Sequence, residues 1–153
     1  MKLNVHHNDP VRHCLKVIKA IAVFVICSFL YLRFLTTPVL SVLSLREWAI
    51  IGILVAVIAG GVCRLLIHKA TAVGALAAAA AIAAPIWTEV YFNFPLSHDT
   101  AESSTWRSYL VSALHNTWPY GAAGVIAIIA GWHLANHIYS RRRPSVGKAS
   151  ACD

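Results

Sequence analysis

Four long apolar runs dominate the chain and leave little room for any architecture other than a membrane protein. An α-helix needs about 20 apolar residues to cross the roughly 30 Å hydrocarbon core of a bilayer. The runs at 17–35, 48–67, 70–92 and 119–139 meet this requirement. The sequence therefore predicts an all-α integral membrane bundle of four transmembrane helices, with 1–153 forming a single membrane domain.

The composition excludes an ordinary water-soluble domain. Hydrophobic residues make up 58% of the chain and charged residues only 12%, against roughly 45 to 50% and about 25% in soluble proteins. No recognisable catalytic, nucleotide-binding or cofactor motif stands out from this apolar background. We therefore expect a protein that is not an enzyme and that carries no cofactor.

Basic residues predict how the chain is oriented. Cytoplasmic flanks of membrane helices accumulate Lys and Arg, and most of the 13 basic residues here fall in 1–19, 64–69 and 141–148. Both termini, including the tails 1–16 and 140–153, are thus predicted to be cytoplasmic in a bacterial inner membrane. Topology and attraction to anionic lipid account for the net charge of +7, so no nucleic-acid partner is expected.

The second outer loop, at 93–118, contains a helical pattern of its own. Trp106, Tyr109 and Leu110 follow the spacing of one helical face, with polar residues between them. This pattern predicts an amphipathic helix over about 100–116 that lies in the outer interface. A turn at Trp118-Pro119 is expected to lead into the fourth span.

Small residues recur every four positions on two of the spans. Such spacing lets helix backbones approach closely in lipid. The residues are Gly52, Ala56 and Gly60 in the second span and Ala123, Ala127, Gly131 and Ala135 in the fourth. We expect these faces to pack within the bundle, with self-association as the alternative. The short connection between the second and third spans predicts an antiparallel hairpin.

Two ionisable residues lie inside predicted spans. Arg33 and Glu89 each fall about one turn from the outer end of a span, where an isolated charge is costly. Because the first and third spans are predicted to be parallel, these side chains could form an intramembrane ion pair. Separate snorkelling to the headgroups is the alternative. A further alternative makes Glu89 the acceptor of a small oligomeric transporter or channel.

Histidines offer a third functional interpretation. His133 and His137 share one face of the fourth span, and His68 ends the second span at a similar level. Imidazoles at this spacing can bind a transition metal, but no residue at convincing spacing completes a ligand set, Cys63 being the nearest. No metal site is assigned, and a metal- or haem-binding protein remains the second alternative.

The leading functional hypothesis is contact with other proteins. Aromatic residues concentrate on the predicted outer side, and we expect an outer contact surface formed by Trp87, Trp106, Tyr109 and Leu110. The protein would act as an accessory subunit of a membrane complex or as a protector against a membrane-active toxin. Its partners would be the lipid bilayer and a membrane or periplasmic protein, or a second copy of itself.

Overall fold

The computed structural model describes residues 10–36, 44–93 and 103–141. These residues form four helices: α1 at Pro10–Thr36, α2 at Leu45–Leu66, α3 at Ala70–Asn93 and α4 at Ser103–Arg141. No strand occurs among them. Each helix contains a segment long and apolar enough to cross a membrane: Pro10–Leu35, Leu45–Leu66, Ala70–Thr88 and Leu110–Arg141. The prediction of an all-helical fold with four helices long and apolar enough to span a membrane is confirmed for the described residues.

Helices α1, α2 and α4 begin earlier than the apolar runs because polar residues continue them, whereas α3 begins at Ala70 as predicted. α1 starts at Pro10, seven positions before the run predicted from 17, and proline is favoured in the first turn of a helix. α2 starts at Leu45 because Ser44 and Glu47 form a capping box: the Ser44 hydroxyl accepts from the Glu47 N–H, and the Glu47 carboxylate accepts from the Ser44 N–H. The Ser-x-x-Glu pattern of this box is readable in the sequence.

The largest difference from the sequence-based prediction lies in α4. This helix runs for 39 residues through Trp118 and Pro119, so the predicted turn at these two residues is wrong. Pro119 lacks the N–H that would bond the His115 carbonyl, yet the helix continues on both sides of it. The predicted interfacial helix thus corresponds to the first part of a longer helix, and its depth in a membrane stays a prediction. α3 likewise continues through Pro85.

The four helices pack in the cyclic order α1, α3, α4, α2. α2 and α4 run in the same direction, since Leu45 and Trp48 share a cleft with Asn116 whereas Arg64 bonds Asn136. α3 runs against α4, as shown by the proximity of Gly121 to Ala81 and of Gly74 to Ile129.

α2 and α3 therefore run in opposite directions, as predicted for a hairpin. The expectation that they pack against each other is wrong. The two helices lie diagonally across the bundle and make few contacts, although only Ile67, His68 and Lys69 join them. Each of them packs mainly on α4 or α1, because the small residues that permit close approach face those neighbours.

Each end of the bundle has a distinct composition. The start of α1, the connection 67–69 and the end of α4 lie at one end, which we call the basic end; its described cations are Arg12, Lys16, Lys19, Arg64, Lys69 and Arg141. The opposite end, which we call the aromatic end, contains Phe34, Trp48, Trp87, Trp118 and Tyr120.

Small residues and thiols fill the centre. The described buried residues include no charged side chain, and they comprise mainly alanine, valine, cysteine and a few larger apolar groups. Aromatic rings of α1 occupy notches left by glycines, Phe34 beside Gly52 of α2 and Tyr31 beside Gly124 of α4. The predicted use of small residues in packing is confirmed for Gly52, Gly60 and Gly131. Large aliphatic side chains instead cover the exterior, as a lipid-facing surface requires.

Candidate functional site

A cleft at the aromatic end is lined by residues of α1, α2 and α4. Its volume is about 220 Å³, and we call it the outer cleft. The residues that line it are Phe34, Leu35, Leu45, Trp48, Ala49, Asn116, Thr117 and Tyr120. Most of these side chains are apolar, so the cleft suits an apolar group of the size of one or two side chains.

Helix geometry explains why the cleft is here. The capping box holds the first turn of α2 so that Leu45, Trp48 and Ala49 fall on one face. Phe34 and Leu35 reach the cleft from the last turn of α1. Near the centre of the bundle α2 and α4 meet closely at Gly60 and Gly131, whereas the cleft residues of both helices lie toward the aromatic end.

Asn116 and Thr117 of α4 contribute an amide and a hydroxyl to the cleft wall. The Thr117 hydroxyl donates a hydrogen bond to the Ala113 carbonyl of its own helix, with 2.7 Å between the two oxygens. Asn116 has an exposed side chain whose amide makes no hydrogen bond among the residues that the structure describes. The cleft therefore presents an amide able to donate and accept within a mainly apolar lining, to which Tyr120 and Trp48 add a hydroxyl and an indole N–H.

The predicted outer contact surface is only partly described. Trp87 on α3 is 62% exposed and Leu110 on α4 is half-buried. The backbones of Trp106 and Tyr109 lie in α4, but their side chains fall outside the described part. Neither Trp87 nor Leu110 lines the outer cleft. The surface as predicted from the sequence remains untested, and the cleft offers a better-defined site on the same end.

The proposed ion pair between Arg33 and Glu89 also remains a prediction. Arg33 is exposed on the last turns of α1, and Glu89 lies near the end of α3, so both helices bring these positions to the aromatic end. The side chain of Glu89 lies outside the described part. The packing of α1 along α3 is consistent with a meeting of the two groups.

The three histidines of the metal hypothesis make different contacts. His133 packs its ring edge-on against Trp132, with 5.1 Å between ring centroids. His68 bonds through Nδ1 to the Arg64 guanidinium, and His137 is exposed. Within 10–36, 44–93 and 103–141, no three His, Cys, Asp or Glu side chains are grouped so as to hold a metal ion.

Cys63 belongs to a different part of the molecule. It is fully buried in the centre, where it lies in contact with Cys27 of α1. Cys27 and Cys63 are both free thiols. This contact joins α1 to α2 in the core, and nothing in the spacing of the two cysteines along the chain indicated it.

Residues of the outer cleft were missed by sequence reasoning for an identifiable reason. Trp48 and Tyr120 looked like interfacial anchors, and Asn116 fell at the end of the predicted interfacial helix, because each was considered on its own helix. The Ser-x-x-Glu cap was the available signal for placing Trp48 in the first turn of α2.

No protein-family model, curated protein or solved structure matches this chain.

Proposed function

We propose that this protein is a non-enzymatic membrane protein that acts through contact with another membrane protein, and that the outer cleft receives an apolar segment of that partner. The observation that carries the proposal is the combination in one cleft of a mainly apolar lining with the amide of Asn116, which has no hydrogen bond to any residue that the structure describes. A lipid acyl chain could fill the apolar space but could not bond the amide. A helix or loop of a partner supplies both apolar side chains and polar groups, which stabilise helix association in membranes.

The closed centre of the bundle also favours contact over transport within one chain. Cys27, Cys63 and Ile128 are fully buried there, and no described charged side chain is buried among them. A transport pathway that uses Glu89 would therefore have to run between copies of the chain in an oligomer. The chain accordingly acts as an accessory subunit of a membrane complex or as a protector that restrains a membrane-active toxin.

The orientation that we propose places the basic end in the cytoplasm and the aromatic end outside, in a bacterial inner membrane. In this orientation the outer cleft faces the outer leaflet, and residues 103–116 of α4 lie near the outer interface. Fluorescent-protein and alkaline-phosphatase fusions at the C terminus test the arrangement, since the first should be active and the second inactive. An inactive fluorescent protein and an active alkaline phosphatase would place the C terminus outside and contradict the proposed orientation.

A photocrosslinking residue at Tyr120 tests the cleft itself. We expect it to capture a protein partner, whereas the same probe at Ile51, which faces outward on α2, should capture lipid. Ala49→Leu fills the cleft and should abolish the Tyr120 crosslink. Ala123→Leu is the matched control, because Ala123 is exposed on α4 outside the cleft.

Each outcome bears on a different function. A Tyr120 crosslink that Ala49→Leu removes and Ala123→Leu leaves unchanged supports the proposal. A crosslink to a second copy of the chain would make the cleft a self-association site. Lipid alone at both positions, together with an ion flux that Glu89→Gln removes, would replace the proposal by the transport alternative.

A further inference from the structure

The basic end contains a second cavity, which is chemically unlike the outer cleft. It has a volume of about 400 Å³, within the roughly 300 to 1,000 Å³ typical of small-molecule sites. We call it the basic pocket, and its lining residues are Arg64, Leu65, His68, Asn136, Tyr139 and Ser140. The pocket lies between the last turns of α2 and α4.

Arg64 is held in place at this pocket by three groups. Its Nε donates to the Asn136 Oδ1 at 2.9 Å, and its Nη1 bonds the His68 Nδ1. Its guanidinium carbon lies 5.4 Å from the centre of the Trp132 ring, a cation–π distance. These contacts fix the orientation of the planar cation and leave three of its five N–H groups for a ligand.

No described carboxylate neutralises this cation. The acidic residues of the four helices are Glu47 and Glu89, and both lie toward the aromatic end. Lys69 and Arg141, both exposed, add positive charge near the pocket. The local field therefore favours an anion.

His68 adds a neutral donor. Because the Arg64 guanidinium can only donate, the His68 Nδ1 that bonds it must accept. The imidazole proton then resides on Nε2, and this N–H is available to a ligand. Tyr139 contributes a hydroxyl, whereas the Ser140 hydroxyl donates to the His137 carbonyl.

The geometry points to a binding site for a phosphate group in the basic pocket, with Arg64 as the principal ligand and His68 and Tyr139 as further donors. A planar guanidinium with paired N–H groups matches phosphate oxygens closely. Leu65 of the pocket and the neighbouring Ile138 are exposed apolar residues, so the pocket adjoins a lipid-facing surface. The phosphate belongs either to an anionic glycerophospholipid headgroup or to a free phosphate ion, and basic pockets at helix ends bind such headgroups.

Native mass spectrometry of the full-length protein in detergent, titrated with phosphatidylglycerol, phosphatidylcholine and inorganic phosphate, tests the site. Arg64→Gln should weaken phosphate-group binding by about tenfold, the effect of losing a charge-assisted hydrogen bond. Asn136→Leu keeps every charge but releases the Arg64 side chain, so it should weaken binding by about threefold or more.

Lys69→Gln is the matched control. It removes one positive charge beside His68 without touching the pocket lining, and it should change binding by less than about twofold. If Arg64→Gln and Lys69→Gln lose equal amounts of binding affinity, the binding depends only on net charge, and the proposal of a specific site is overturned. Thermal unfolding of each variant separates lost binding from lost folding, and Asn136→Leu keeps the test valid if Arg64→Gln unfolds.

The ligands identify the source of the phosphate. Phosphatidylglycerol bound more tightly than phosphatidylcholine and not displaced by inorganic phosphate would assign the pocket to an anionic lipid. Binding of inorganic phosphate alone, with displacement of the lipid, would assign it to the free ion. If phosphatidylglycerol, phosphatidylcholine and inorganic phosphate each bind the native protein and Arg64→Gln equally well, the inference is overturned.

Discussion

Gly60 on α2 and Gly131 on α4 form one reciprocal backbone contact between these two helices. A Cβ on Gly60 would overlap the carbonyl oxygen of Ile128, and a Cβ on Gly131 would overlap that of Val57. Each glycine thus accommodates the backbone of the other helix. In lipid, where apolar side chains gain little by leaving their surroundings, such close backbone contact is a main source of helix association.

Alanine at either glycine should separate α2 from α4. We expect Gly60→Ala and Gly131→Ala each to lower the free energy of unfolding by about 1 to 3 kcal/mol, because neither carbonyl group can move without shifting its helix. Both substitutions open the same interface, so the double variant should lose less than the sum. Unfolding in mixed micelles, followed by circular dichroism, measures these losses.

Gly61 provides the control on the adjacent residue. A Cβ there would meet only the Ala135 Cβ, at 3.8 Å, an ordinary contact. Gly61→Ala should therefore leave stability unchanged or raise it by up to about 1 kcal/mol, since alanine is the better helix former. A loss in Gly61→Ala as large as that in Gly60→Ala would contradict the contact.

Tyr31 carries a hydroxyl that the core does not satisfy. The side chain is 3% exposed, and its Oη has no hydrogen-bond partner among the described residues. Tyr31→Phe keeps the ring beside Gly124 and removes the buried polar atom, so we expect stability to rise by about 1 kcal/mol. Tyr139→Phe, at an exposed position, should change stability by less than about 0.5 kcal/mol. Destabilisation by Tyr31→Phe would mean that the hydroxyl has a partner.

Trp132 ties α4 to the end of α2. Its Nε1 donates to the Ile67 carbonyl at 3.0 Å, just where α2 ends and the short connection to α3 begins. Trp132→Phe should cost about 1 kcal/mol through the lost hydrogen bond, and Trp132→Ala about 3 to 5 kcal/mol through the added cavity. Trp118→Ala is the control, because Trp118 is 64% exposed and should tolerate the change. Equal effects at the two tryptophans would contradict the structural role of Trp132.

Arg33 and Glu89 can be tested by a double-mutant cycle. If the two side chains form an ion pair, Arg33→Gln and Glu89→Gln should be coupled by about 0.5 to 3 kcal/mol in the free energy of unfolding. The same cycle with Arg46→Gln, which changes an exposed residue in the first turn of α2, should be additive. Additive losses for Arg33 and Glu89 would show that the two residues reach the headgroups separately.

Local pattern was sufficient for most features that depend on one helix alone. The number of candidate spans, their approximate positions and the small-residue faces follow from apolar length and spacing, because a bilayer imposes the length and the helix imposes the period. The start of α2 was also readable, since the Ser44 and Glu47 cap acts within four residues. Pro119 misled the prediction because a proline signal is local and the surrounding helix tolerates it.

Tertiary structure decided which helices are neighbours. The connection 67–69 suggested that α2 packs on α3, but the glycine contacts with α4 place α2 and α3 on a diagonal of the bundle. The outer cleft, the basic pocket and the contact between Cys27 and Cys63 each join residues from different helices. One-dimensional periodicity determines which face of a helix is apolar or small, whereas the partner of that face depends on backbone fit in three dimensions.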